Sequence, residues 1–220
     1  PTPSEIKSEF NSTAKQINDS SGTGLNFSRI DVFAAIDLLF FLSTSFVSPS
    51  NNSYINNETN FTCLAQTATR FDLDNVTFYL WNSTNDLIYN LTNNISGTTN
   101  STYFNYSISS EEEHYWGCLS FNNNSNSSWT TLNYTITYDA TPATINSISS
   151  SVSITTAIIN VNSNELTNSS INYGTTTTLG TESTNASLET NHSFSLSSLS
   201  ASTTYYYNIT NCDRANNCVI

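Results

Sequence analysis

From residue 50 to residue 139, apolar side chains recur at every second position in short runs separated by turn-forming clusters, which is the pattern of half-buried strands. In "NFTCLAQ", Phe61, Cys63 and Ala65 share a face; in "VTFYLWN", Val76, Phe78 and Leu80 share one, with Tyr79 and Trp81 on the other. "STYFNYSI" alternates Phe104, Tyr106 and Ile108 against Tyr103, Asn105 and Ser107. "HYWGCLSF" and "TLNYTITYD" complete this set, the latter opposing Leu132, Tyr134 and Ile136 to Asn133, Thr135 and Thr137. "DATPATINSI" then reads as a linker running into a new first strand, with Pro142 suiting an extended junction. "TTAIINVNSN", "SSINYGTTTTLG" and "HSFSLSSLSASTTYYYNIT" follow. The pattern predicts an all-β protein of tandem β-sandwiches, one over 47–139 and one over 140–220, preceded by an extension over 1–46.

That extension matches neither module. "SEIKSEFNSTAKQI" places Ile6, Phe10, Ala14 and Ile17 on one helical stripe, with Ser4 as a cap, so a short amphipathic helix is expected. "SSGTG" ends it. Every second residue is then apolar through Ile30, Val32, Ala34, Ile36, Leu38, Phe40 and Leu42, while Asp31 and Asp37 fall in the alternate set. Period two fits this run better than helical spacing. A long apolar strand without a partner of its own is an aggregation hazard and needs an acceptor, in its own chain or in a neighbouring copy. A pilin-like assembly helix fits less well, because the first 24 residues are polar and both aspartates would need burial.

Composition narrows the class. Only 10% of the 220 residues are charged, and the net charge is −12. A chain with five Lys plus Arg cannot neutralise a phosphate backbone or dock on anionic lipid, so nucleic acid and membrane surfaces are excluded as partners. The 37 Ser, 33 Thr and 33 Asn suit turns and strand surfaces and compete with helix backbone. The apolar run at 33–47 contains Asp37 and is too short to span a bilayer as a helix, and the polar opening does not read as a signal peptide, so the sequence reads as already exported.

Asn-x-Ser/Thr triplets occur nineteen times, more often than the composition alone would give: at Asn11, Asn18, Asn26, Asn51, Asn57, Asn60, Asn75, Asn82, Asn90, Asn94, Asn100, Asn105, Asn123, Asn126, Asn133, Asn168, Asn185, Asn191 and Asn208. Each is an N-glycan acceptor if the chain is secreted, and a glycan coat would account for solubility with so few charges. Four cysteines, Cys63, Cys118, Cys212 and Cys218, fit two disulfides in an oxidising compartment. Three pairings are open. The turn-forming "DRANN" between Cys212 and Cys218 favours their joining, and the separation of 55 residues between Cys63 and Cys118 suits a bridge between two sheets. Zinc would want close Cys pairs or His at ligand spacing, which His114 and His192 do not offer.

Other chemistry is thin. Glu111, Glu112 and Glu113 have no partner acid or metal ligand close in sequence and read as a solvated turn leading into the strand that carries Cys118. Asp72 and Asp74 in "FDLDN" supply too few ligands for calcium. No phosphate-cradling loop and no nucleophile motif is present, so neither a cofactor nor catalysis is expected.

Cys63, then Trp81, then an aromatic residue two before Cys118, resembles an immunoglobulin-like domain, in which the tryptophan packs beside an inter-sheet disulfide. Here the residue two before Cys118 is Trp116 rather than the family's corner tyrosine, and Tyr115 lies one position off. Residues 140–220 resemble a fibronectin type III domain: "INYGTTTTLG" is similar to its third strand and "LSSLSASTTYYYNIT" to the leucine-then-tyrosine approach to its sixth. That resemblance implies a core containing Val161, Tyr173, Leu199 and Tyr205 or Tyr207, with a short last strand. The two modules in series, rich in Asn, Ser and Thr, resemble archaeal-type cell-surface proteins.

The expectation is an extracellular, non-enzymatic structural subunit of a glycosylated surface filament or surface layer. Copies would assemble head to tail as a homopolymer through the apolar strand, with N-linked glycans and no direct membrane span. The competing expectation is an adhesin or carbohydrate-binding module of a larger protein, with exposed aromatics such as Trp129 as contacts.

Overall fold

The computed structural model describes residues 41–220, residues 7, 8 and 11, and the backbone of 15–18 and 26–29. Residues 7, 8 and 11 are helical, but strand β1 (Lys15–Asn18) pairs antiparallel with β2 (Asn26–Arg29), so the amphipathic helix does not reach Ile17. The Ser and Gly residues between them favour a turn over continued helix. Ile30, Val32, Ala34, Ile36, Leu38 and Phe40 lie outside the described residues. Leu42 opens β3 (Leu42–Ser48), which pairs with β5 (Thr59–Thr67) from Leu42↔Thr67 onward, so the last residue of the expected assembly strand belongs to the first sandwich of its own chain. The expected boundary at 46/47 thus falls within a strand.

All other described elements are strands. Two compact units divide the chain: 1–53, 59–107 and 113–136 form the first, and 54–58, 108–112 and 137–220 the second. In the first, one sheet has the order β3–β5–β8, with β8 Thr99–Tyr106. The other has the order β4–β11–β9–β6–β7: β4 Ser53–Ile55, β6 Leu73–Trp81, β7 Leu87–Asn94, β9 Glu113–Asn122 and β11 Tyr134–Tyr138. β10 (Ser127–Trp129) also pairs with β9. Period-two alternation does the work here: Phe61, Cys63, Ala65, Val76, Phe78, Leu80, Trp116, Cys118 and Ile136 are fully buried between the sheets. Cys63 of one sheet and Cys118 of the other are bonded, S–S 2.02 Å.

The core tryptophan is Trp116, not Trp81. Trp116 meets Phe46 at 4.6 Å, Phe61 at 5.1 Å and Phe78 at 6.2 Å between ring centroids. Trp81 shares parity with Tyr79, so when Val76, Phe78 and Leu80 turn inward it must face out. Buried polar contacts also cross the sheets: Thr44 bonds Ser120, and Asn122 Nδ2 donates to Thr67 Oγ1 at 3.1 Å.

In the second unit, β12 (Ile145–Val152), β13 (Ala157–Gly174), β14 (Thr181–Leu196), β15 (Tyr206–Cys212) and β16 (Cys218–Val219) form one hydrogen-bonded system that folds over on itself. The register of β13 with β14 breaks between Asn162 and Ser169. Before the break β13 lies between β12 and β14; after it, between β14 and β15. Two long strands thereby serve both layers, as in a three-on-four fibronectin type III-like sandwich. Its core is Ala157, Ile159, Val161, Ile171, Phe194, Leu196 and Ile209. Val161 is buried as expected, and Tyr173 and Leu199 pack half-buried against this cluster. Tyr205 is half-buried, and its hydroxyl accepts from Ser200 N at 3.0 Å, pinning the loop ahead of β15. Cys212 and Cys218 are bonded, S–S 1.99 Å, around a turn in which Asn216 takes φ 69°.

Candidate functional site: an open edge on the second sandwich

Along β15, Tyr207, Ile209 and Asn211 pair with Tyr173, Ile171 and Ser169, which point into the sandwich. Ile209 and Asn211 are buried, yet Tyr207 is 42% exposed. On β12, Ile148, Ser150 and Val152 pair with the buried Val161, Ile159 and Ala157 and therefore also point inward. Ile148 is 45% exposed and Val152 is 77% exposed. Inward-facing side chains remain open at one place because β16 covers only Asn211 and Cys212, leaving β15 from Tyr206 to Thr210 with an uncovered edge among the described residues. The result is a groove of about 480 Å³ whose lining includes Val152, Ile159, Tyr173, Leu196, Leu199 and Tyr207. Of the uncovered stretch of β15 only Tyr207 lines this groove, and the apolar lining residues alternate with hydroxyls from Ser150, Thr156, Ser200, Ser202 and Thr203, a mixed surface onto which an added β-strand could be laid. Tyr207 was one of two expected core positions; it has core parity and lacks a cover.

The opposite half of this interior is polar. Ser163, Thr167, Ser169, His192 and Asn211 are buried. Ser169 Oγ donates to Asn211 Oδ1 at 2.6 Å, and Thr167 Oγ1 lies 3.2 Å from His192 Nε2. Beyond them Asp139, Glu165 and Asp213 each bring a carboxylate oxygen within 4.8 Å of the others. Burial raises the Asp139 carboxyl above its ordinary value; the Thr141 amide opposes this, and the Asp213 and Glu111 charges add to it. Glu165 is raised likewise, first by burial and then by Asp139 and Asp213. Asn217 braces the group, its Nδ2 donating to Asp213 Oδ2 at 3.0 Å and to the Asp139 carbonyl at 2.8 Å. Sequence reasoning missed this trio because its members are distant in the chain. Asp72 and Asp74, the calcium candidates set aside above, join no such group among the described residues.

Glu111 and Glu112 lie in the bend before β9, and Glu113 is the first residue of that strand. Glu111 accepts from Thr141 Oγ1 at 2.8 Å and from Ala140 N at 3.2 Å, and Glu113 accepts from the Tyr115 hydroxyl at 2.9 Å. Glu111 braces the bend, whereas Glu113 and Tyr115 are joined side by side on one face of β9. Trp129, 47% exposed, lies against Tyr79 and Trp81 on the outer face of the first sandwich.

No protein-family model matches the chain, and no curated protein does. Among solved structures it is similar to the FN1–FN3 domains of chicken CNTN1, at 10% identity and TM-score 0.42, covering 94% of this chain and 75% of that one. It is similar also to a two-domain fibronectin type III segment of chicken tenascin, at 14% identity and TM-score 0.31, covering 77% of this chain and 89% of that one. A CARDB domain from Pyrococcus furiosus matches at 12% identity and TM-score 0.31, over 46% of this chain and 90% of that one. The class, an immunoglobulin-like sandwich followed by a fibronectin type III-like one, stands on the strand order and register described above. No described helix is long and apolar enough to cross a membrane.

Proposed function

We propose that the chain is an extracellular structural subunit of a glycosylated surface filament or surface layer, working by association and not by catalysis. The apolar segment from Ile30 to Phe40 of one copy enters the groove of the second sandwich in the next copy. Leu42 is committed to β3 of its own chain, so the donated strand ends before it. The observation that carries this reading is the pairing of inward direction with exposure at Tyr207 and Val152, beside the uncovered edge of β15. An entering strand would satisfy that edge, and its alternate apolar residues would fill the groove. A head-to-tail contact of this kind does not close, and so it builds a fibre. The two disulfides fit an oxidising exterior.

The test is negative-stain microscopy of the native protein beside a chain lacking 1–40 and an Ile36→Asp variant. Rods of regular repeat in the native sample only are expected. Monomers at every concentration, or rods undiminished without 1–40, would overturn strand donation. A continuation of β16 in a longer chain is the rival occupant of the edge, and a C-terminally extended version that stays monomeric would select it. The binding-module reading draws on Tyr79, Trp81 and Trp129. Specific retention of the non-glycosylated chain on a sugar array would move the protein to that class.

A further inference from the structure

On the outer face of the first sandwich, Tyr79 and Trp81 stand two residues apart on β6 with ring centroids 5.7 Å apart and planes 12° from parallel. Trp129 reaches Tyr79 at 4.9 Å from β10, although β9 runs between the two strands. Strands two apart are separated by about 10 Å, so the rings meet only if nothing stands between them. The residue of β9 that pairs with Tyr79 is Gly117. It contributes no side chain, and its bare position is bounded on the other side by Asn133 and Thr130, whose Oδ1 and Oγ1 would lie 2.9 Å and 3.1 Å from a Cβ placed there. The outcome is an aromatic shelf, half-open to water, in a chain with few charges to surround it.

The neighbour of that shelf on β7 is Asn90, which pairs directly with Tyr79. Two contacts fix its direction. Thr77 and Thr92, a further pair of the same parity, join Oγ1 to Oγ1 at 2.8 Å on the outer face. Tyr89, of opposite parity, turns inward against Phe78 at 6.2 Å and Tyr106 at 4.3 Å. Asn90 is therefore exposed on the same face as Tyr79, at the Cβ separation of about 5 Å usual for a cross-strand pair. It begins the triplet Asn90-Leu91-Thr92. Asn82, the sequon next to Trp81, is tied into its own turn instead, its Oδ1 accepting from Asp86 N at 2.7 Å and from Thr84 N at 3.1 Å.

We propose that the Tyr79–Trp81–Trp129 shelf is the seat of the chain's own N-glycan at Asn90, with the first pyranose rings laid flat against Tyr79. The inference rests on the glycosylated reading above and assigns one sequon a structural role. Attachment belongs to a host transferase: Asn90 Nδ2 forms the bond to the anomeric carbon, the carrier's phosphate leaves, and the amide loses a proton. The chain supplies the landing surface. A pyranose presents one face of C–H groups, weakly positive, which suits the electron-rich face of an aromatic ring. Covering the shelf removes an exposed apolar patch from a surface whose solubility rests on sugars rather than charge.

The test expresses the 220-residue chain in a secretory host whose N-glycans begin with N-acetylglucosamine, and in a non-glycosylating host that forms disulfides. Occupied sequons are mapped by mass spectrometry. In glycosylated material, Asn90→Gln lowers Tm by about 2–4 °C and raises the acrylamide accessibility of tryptophan fluorescence, while in non-glycosylated material the same change moves neither. Trp129→Ala and, separately, Trp81→Ala abolish the dependence of Tm on the Asn90 glycan. Each variant is compared with itself in the two hosts, so a general loss of stability cancels. If no sequon carries sugar, the glycosylated reading falls and this inference with it. If other sequons are filled while Asn90 is bare, or if the Asn90 glycan leaves Tm and fluorescence unmoved, this inference alone is overturned. Binding of free N,N′-diacetylchitobiose to the glycosylated chain, lost in Trp129→Ala, would show the shelf still open and would also overturn it.

Discussion

In the first sandwich the interior is aromatic and sealed: Phe61, Phe78, Phe104 and Trp116 fill it, and a disulfide joins its two sheets. In the second, Phe194 is the one aromatic among the buried core residues described, half the interior is hydroxyl, amide and imidazole, and one edge stands open. Its disulfide closes a hairpin of six residues' separation instead of joining layers. The same polar alphabet thus produces one unit with an enclosed interior and another in which, among the described residues, β15 is covered only at Asn211 and Cys212. Under the proposed function the two units would divide the labour, one carrying stability and the other the association surface.

The largest effects should fall on the sealed unit. Trp116→Ala is expected to cost about 3–5 kcal/mol by opening a closed cavity, whereas Leu196→Ala, on the floor of an open groove, should sit near 2 kcal/mol. Urea midpoints followed by unit-resolved hydrogen exchange would check this. Equal costs would mean that the groove is closed and the contrast false. Replacing both Cys63 and Cys118 by Ser should cost about 4 kcal/mol, against about 2 kcal/mol for Cys212 and Cys218, because the loop closed by the first pair is far longer. Equilibrium denaturation of the two double variants measures the gap.

The acidic trio belongs to the second unit alone and gives the comparison a pH axis. Asp139 and Glu165 have folded-state values above their ordinary 3.8 and 4.5. A carboxyl raised on folding binds its proton more tightly in the folded state, so its charge opposes folding at neutral pH. That opposition is relieved as pH falls through the raised value toward the ordinary one. The second unit should therefore gain relative to the first on mild acidification from pH 7. Asp139→Asn should raise its stability at pH 7 and flatten the trend, as read by thermal melts across pH 4–8. The smallest effect is expected at Trp81: Trp81→Ala in non-glycosylated protein should cost less than about 1 kcal/mol, since the ring lies on an outer face. A cost matching Trp116→Ala would return Trp81 to the core role that the immunoglobulin resemblance implied.

Much of the fold was legible in the residues. Strand parity in "NFTCLAQ" and "VTFYLWN" named Phe61, Cys63, Ala65, Val76, Phe78 and Leu80 as inward, and all are buried. The turn chemistry of "DRANN" foretold the Cys212–Cys218 hairpin. Parity had also placed Trp81 opposite Phe78; the family pattern pulled it inward, and packing took Trp116 instead. The candidate site was legible only as a short last strand. That Tyr207 and Val152 stand on opposite sides of one groove depends on how β13 and β14 bend between layers, and a break in register leaves no periodic signal.

The amino-acid order by itself settled what alternation and local motif can settle: which side chains share a face, which cysteines can be joined by a turn, and where the Asn-x-Ser/Thr triplets fall. Neighbours along a strand obey a local steric period, so they need no knowledge of the rest of the chain. Which face meets a partner layer, which tryptophan is enclosed, and that Asp139, Glu165 and Asp213 crowd together were decided by the tertiary structure. Those outcomes depend on contacts between residues far apart in sequence, and only the folded backbone brings such residues within reach.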